Sequence, residues 1–214
     1  MITLITGHYG SGKTTAAANL AKRRACEGTT ALVDMDTVNP YFRAADLRAF
    51  LEENGVTLIA PMYARTNLDL PVLDFDIPAI ACRYDNVICD LGGDDAGAFP
   101  LGKFSSFIKS GVCEWEHLFT VNFCRPLTSE PEECIEAMNE IVSACRIPVT
   151  GIINNTNLGS ETSSGVIMQG IQKARRLEEL SGIPVRTTSV PDTLEGFDEK
   201  CITRFRVLIK NIWD

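Results

Sequence analysis

The chain has 214 residues, 45% of them hydrophobic and 22% charged, and a formal net charge of −8. That length suits one sizeable domain, and no Ser/Gly tract, charge block or repeat divides it, so residues 1–214 read as a single unit. The acidic balance repels phosphate backbones and argues against a nucleic-acid partner, and no apolar run is long enough to span a bilayer, which argues against a membrane one.

The chain opens on Met1-Ile2-Thr3-Leu4-Ile5-Thr6, a short apolar, β-branched run that reads as a buried strand. It carries no basic n-region and no cleavage site, so it is not a signal peptide, and a cytoplasmic protein is expected. Next comes Gly7-His8-Tyr9-Gly10-Ser11-Gly12-Lys13-Thr14-Thr15. This fits the phosphate-loop pattern of Gly, four residues, Gly-Lys-Ser/Thr. Glycines let the backbone turn tightly and bring its N–H groups to phosphate oxygens. The helix that follows, rich in Ala16, Ala17, Ala18, Leu20 and Ala21, adds the positive end of its dipole. Lys13 is a point charge for the outer phosphates, and the Thr14 hydroxyl is the expected Mg2+ ligand.

Glu27-Gly28 stops that helix, and Thr29–Asp34 reads as a second strand. It runs into Asp34-Met35-Asp36-Thr37-Val38-Asn39-Pro40-Tyr41-Phe42-Arg43. If the strand continues, the carboxylates of Asp34 and Asp36 point the same way, at the strand end where parallel sheets bind ligands. One could hold Mg2+ through water and the other orient an attacking water. The alternative is a loop capping the next helix, with Asp36 or Asn39 as the cap. A helix is expected over Arg43–Glu53 and a strand over Val56–Ala60. Residues 61–83 read as irregular, broken by Pro71 and Pro78, with one helical turn at most.

Tyr84–Gly93 is a strand ending in Asp90-Leu91-Gly92-Gly93. This is the Walker-B pattern with a D-x-x-G switch. Asp90 would bind Mg2+ through a water, and the Gly93 N–H would reach the γ-phosphate. An ordinary strand-to-loop junction is the alternative. Further helices are expected after Pro100 to Ser110, from a Ser129-Glu130-Pro131-Glu132 capping box to Cys145, and over Ser160–Ser181. Strands are expected over Glu116–Asn122, Ile147–Ile153 and Pro184–Ser189, with a turn at Val190-Pro191-Asp192. Asn154-Asn155-Thr156-Asn157 offers amides that suit a purine edge, or equally an asparagine-rich turn. A closing amphipathic helix is expected over Asp198–Trp213, where Phe205, Leu208, Ile209, Ile212 and Trp213 fall at helical spacing.

The eight cysteines show no C-x-C or C-x-x-C spacing. In a cytosolic protein they are expected reduced, behaving as small hydrophobes.

Alternating strands and helices predict a three-layer α/β/α fold, a mostly parallel sheet with helices on both faces. Gly-Lys-Thr-Thr-x-x-x-Asn-Leu-Ala at 12–21, Val-Asp-x-Asp at 33–36 and the Asp90 switch resemble the MinD/ParA group of P-loop ATPases, which includes CobQ/CobB-like synthases. The resemblance implies ATP (or ADP) and Mg2+ as ligands. It implies that Lys13 and Thr14 hold phosphate and metal, with Asp34 near the metal. Asp36 would position the attacking water, and Asp90 and Gly93 would form the second switch. Asn155 would read adenine, helped by the backbone near Pro191. Nucleotide-dependent homodimerisation and an unidentified protein client are the implied partners. The group's signature lysine stands directly after the first glycine; here that position is His8, and Tyr9 replaces a glycine. Arg43 is a candidate substitute.

The resemblance thus leads to a slow ATPase acting as a nucleotide-dependent switch. A ligase or kinase of the dethiobiotin-synthetase/CobB type and a non-hydrolysing regulator are the alternatives. Guanine readers usually show Asn-Lys-x-Asp, and Asn155-Thr156-Asn157-Leu158 lacks both the lysine and the aspartate, which favours ATP.

Overall fold

A computed structural model of the chain describes residues 1–36, 47–60, 76–93, 95–198 and 202–205. The first part of the Arg43–Glu53 helix, residues 61–75, the Arg43 substitution and the apolar positions Leu208, Ile209, Ile212 and Trp213 lie outside these.

Eight strands form one parallel sheet: β1 (Ile2–Thr6), β2 (Thr30–Asp34), β3 (Val56–Ile59), β4 (Asn86–Asp90), β5 (Trp115–Val121), β6 (Gly151–Asn154), β7 (Val185–Pro191) and β8 (Ile202–Phe205). Their order across the sheet is β3-β2-β4-β1-β5-β6-β7-β8. The strands are apolar on both faces, as a doubly covered sheet requires. Successive residues point to opposite sides. Ile5, Leu32, Ile88, Leu118 and Ile153 pack on one face against Ala17, Ala18 and Ala21 of α1 (Lys13–Ala25) and Leu51 of α2 (Arg48–Glu53).

Their neighbours Leu4, Val33, Cys89, Phe119 and Ile152 pack on the other face. There they meet Ile77 of α3 (Ile77–Ala81), Ala98 of α4 (Asp95–Ala98), Ile108 of α5 (Ser105–Lys109), Met138 and Ile141 of α6 (Pro131–Cys145) and Leu177 of α7 (Ser164–Ser181). Each fully buried aliphatic side chain contributes about 1.5–3 kcal/mol of transfer free energy.

Several expected elements move. Val190 and Pro191 belong to β7 rather than to a turn, because Pro191 pairs with Phe205. Residues 202–205 are strand rather than helix. Ile202-Thr203-Arg204-Phe205 lies along β7, where Thr187 Oγ1 and Thr203 Oγ1 meet at 2.8 Å. The strand expected from Ile147 begins only at Gly151. The stretch expected as one helix after Pro100 divides into a 3-10 segment, Phe99–Phe104, and α5. The α6 cap is Glu130, paired with Glu133, one residue beyond the expected box. Ser129 donates to the same Glu133 carboxylate at 2.9 Å.

Candidate functional site

The loop from Gly7 to Gly12 joins β1 to α1. Gly7 has φ 149, and a Cβ there would run into the carbonyl of Thr120 on β5. Gly12 has φ 84, and a Cβ there would strike the Asn155 amide. A side chain at either position would displace the loop. Gly10 and Tyr9 are exposed, His8 is half-buried and Ser11 is buried. Lys13 is 7% exposed, and its Nζ donates to the His8 carbonyl at 3.3 Å. The ammonium therefore folds back over the loop it belongs to. Thr14 and Thr15 open α1, whose last turn carries Lys22, Arg23 and Arg24 to complement the other end of the dipole.

Three carboxylates gather at the ends of β2 and β4. Asp34 and Asp90 are register partners in the ladder. The Asp36 N–H donates to Asp34 Oδ1 at 3.2 Å. Asp34, Asp36 and Asp90 are all buried. Neither Asp90 oxygen has a hydrogen bond of ordinary geometry among the described residues. Burial, then the Asp34 charge, push the Asp90 pKa up to about 7, with Asp36 adding to the rise; the Thr14 hydroxyl and the Lys13 ammonium pull the other way. An orphaned buried carboxylate costs free energy until a cation or donor arrives. Among the described residues no group of three His, Cys, Asp or Glu side chains forms a direct metal cage. Mg2+ keeps most of its waters and takes one or two carboxylates plus substrate phosphates. Thr14 with Asp34 and Asp90 acting through water fits that donor set.

Gly92 and Gly93 lie against this centre. A Cβ on Gly93 would stand 2.9 Å from Tyr9 Cα, 3.0 Å from Tyr9 N and 3.0 Å from Lys13 Nζ. A Cβ on Gly92 would be 2.6 Å from Gly97 Cα and 3.3 Å from Asp36 Oδ1. The turn after β4 thus touches the phosphate loop on one side and α4 on the other.

Two further loops hold the phosphate loop from the β5–β6 side. Asn155, 2% exposed, donates through Nδ2 to the Ser11 carbonyl at 2.8 Å. A carbonyl can only accept, so this bond fixes the amide and leaves Oδ1 as an acceptor; it is buried and has no partner among the described residues. Asn122, 1% exposed at the end of β5, donates to the Asn157 carbonyl at 3.1 Å and accepts from Asn157 N at 3.3 Å. Arg125 Nε donates to the Gly10 carbonyl at 3.2 Å. Sequence reasoning missed Asn122 and Arg125, because neither stands in a spacing that announces a site. Pro191 ends β7, and its carbonyl already accepts from Leu194 N at 3.0 Å and from Arg204.

A cavity of about 470 Å3 runs along the α1 face of the sheet, from Thr15 and Asn155 to Arg24, Glu116 and Arg186. Neither Lys13 nor the three carboxylates line it.

Comparison with solved structures gives likeness over most of this chain. Cell division protein FtsY from Thermotoga maritima matches with a TM-score of 0.60 and 24% identity, over 96% of this chain and 65% of that one. The fold is a P-loop NTPase fold. FtsY from Mycoplasma mycoides matches with a TM-score of 0.59 and 26% identity, over 92% of this chain and 63% of its own. The signal recognition particle 54 kDa protein from Aeropyrum pernix K1, solved with GDP, matches with a TM-score of 0.54 and 22% identity, over 87% and 40%. This chain therefore spans less than two thirds of each of these proteins. They are P-loop NTPases related to the MinD/ParA group rather than members of it. Comparison with protein-family models and with curated proteins gives no match. Among the described residues no helix is long and apolar enough to cross a membrane.

Proposed function

We propose that residues 1–214 form a single cytoplasmic nucleotide-dependent switch that binds a nucleoside triphosphate with Mg2+ and hydrolyses it slowly. The observation that carries this reading is the contact of Gly93 with Tyr9 and Lys13. Outer phosphates bound by Lys13 must meet the turn that follows Asp90, so that turn moves or is held according to how many phosphates are present. Lys13 would leave the His8 carbonyl for a phosphate oxygen. Thr14, Asp34 and Asp90 would hold the hydrated cation, which supplies charge neutralisation at the phosphates. Asp36 would orient water toward the terminal phosphate. Homodimerisation or a protein client would read the state of the turn.

ATP is the preferred nucleotide. The Ser11 bond leaves Asn155 Oδ1 as an acceptor. That acceptor suits the adenine amino group, whereas a guanine reader usually meets the N1–H and N2 donors with the aspartate of Asn-Lys-x-Asp, which Asn155-Thr156-Asn157-Leu158 lacks. A guanine reading has support of its own, since two of the similar proteins, FtsY from Elizabethkingia anophelis and the Aeropyrum pernix protein, were solved with GDP.

Calorimetric titration of wild type and Lys13→Ala with ATP, ADP and GTP plus Mg2+ tests both points. The expected result is ATP and ADP binding by the wild type, its loss in Lys13→Ala, slow phosphate release and ATP-dependent association by light scattering. Tighter GTP than ATP binding would overturn the base assignment. Absence of any nucleotide binding would overturn the function.

A further inference from the structure

We propose that Arg125 is a nucleotide-contacting residue, a second cation of the phosphate site supplied in cis from the loop after β5. This rests on the nucleotide-binding reading above. The loop is built to hold the residue in place. Arg125 N donates to the Asn122 carbonyl at 3.0 Å, and Thr128 Oγ1 donates to the same carbonyl at 3.2 Å. Asn122 Oδ1 accepts from Cys124 N at 3.0 Å, while its Nδ2 ties the loop to Asn157. From this anchored backbone the Arg125 side chain turns back to the phosphate loop. Its Nε donates to Gly10 O, and its Cδ and Nε lie 3.7 and 3.8 Å from where a Gly10 Cβ would be.

One N–H of the guanidinium is used in that bond. The Nη groups have no partner among the described residues, and Arg125 is exposed. They form the planar fork that suits a pair of phosphate oxygens. A nucleotide running from Lys13 toward Asn155 passes this side of the loop, because Asn155 grips Ser11, the residue next to Gly10. The site also has room for a further positive charge. Asp34, Asp36 and Asp90 are buried, and the Lys13 ammonium acts on Asp90. Only arginine among the cationic side chains can hold the loop carbonyl through Nε while offering a fork to the ligand.

The test uses the full chain with Mg2+ and ADP or ATP, titrated by calorimetry at several salt concentrations, for wild type, Arg125→Ala, Arg125→Lys and Lys13→Ala. Arg125→Ala should weaken ADP and ATP about ten-fold and flatten the salt dependence of binding, with the ligand-free melting temperature unchanged. Arg125→Lys should keep the salt dependence and recover part of the affinity. Wild-type affinity in Arg125→Ala, alongside lost binding in Lys13→Ala, would overturn the role of Arg125 and leave the nucleotide reading intact. Weakened binding with an unchanged salt dependence would also overturn it, because that is what loss of a purely structural tie to Gly10 gives. Absence of ADP and ATP binding by the wild type would sink the nucleotide reading and the role of Arg125 with it.

Discussion

Asp34 and Asp90 are direct partners across the parallel β2–β4 ladder, two buried carboxylates on one face of the sheet. With burial and the Asp34 charge pushing its pKa up to about 7, Asp90 holds a proton below neutrality and loses it above. A cation site needs the ionised form. Binding of Mg-nucleotide should therefore release close to one proton at pH 6 and few at pH 8.5. Mg2+ affinity should rise with pH, by up to ten-fold per unit, about 1.4 kcal/mol, below the pKa. Calorimetry in buffers of different ionisation enthalpy measures this directly. Asp90→Asn should abolish the proton release and weaken the Mg2+ dependence of nucleotide binding; retention of both would exclude Asp90 from the metal site.

His117 on β5 makes a prediction about stability. It is fully buried, with Nε2 2.7 Å from Thr6 Oγ1 and Nδ1 3.1 Å from the Ile147 carbonyl. Nδ1 donates to that carbonyl, so Nε2 accepts the Thr6 hydroxyl. Burial lowers its pKa to about 4, from 6.5. Between those values the unfolded chain binds a proton that the folded one refuses. Stability should thus fall as pH drops from about 6.5 to 4, by roughly 3 kcal/mol in all. Urea unfolding at pH 7.5, 5.5 and 4.5 measures it, with His117→Gln as the control that removes this share of the slope. A flat profile in wild type would mean that the imidazole is not held neutral.

Gly92 and Gly97 bring β4 and α4 into backbone contact. Gly97→Ala should push the turn away from α4 and cost about 1–3 kcal/mol in stability. Hydrogen exchange at residues 90–93 should quicken in the variant. Protection equal to wild type would show that the turn is not braced by this pair.

The thiols should separate by burial. Cys89 and Cys134 are buried with pKa values pushed up to about 12, and burial raises Cys145 as well. Cys26 and Cys82 are exposed. Brief alkylation at pH 8 should modify Cys26 and Cys82 while sparing Cys89, Cys134 and Cys145, as mass spectrometry of the peptides would show. Early modification of Cys89 would mean that the sheet opens at β4.

The phosphate loop, the Asp34 and Asp90 strand ends and the apolar runs of β1, β2 and β4 were all legible along the chain. Each is a local pattern, written in motif spacing or in a short continuous apolar run. The fate of residues 202–205 was not legible. Phe205 does fall at helical spacing with later apolar positions, yet pairing with Pro191 on β7 draws Ile202–Phe205 into the sheet. Tertiary hydrogen bonding outweighs a weak local propensity there.

The sequence by itself determined the chemistry of the loop: glycines where the backbone must turn, a lysine and a threonine where phosphate and cation would bind. Only the tertiary structure decided which distant groups reach that loop. Asn155 comes to Ser11, Arg125 to Gly10 and Gly93 to Lys13 because β5, β6 and β4 are arranged around β1 in the sheet, and strand order carries no signature in local spacing.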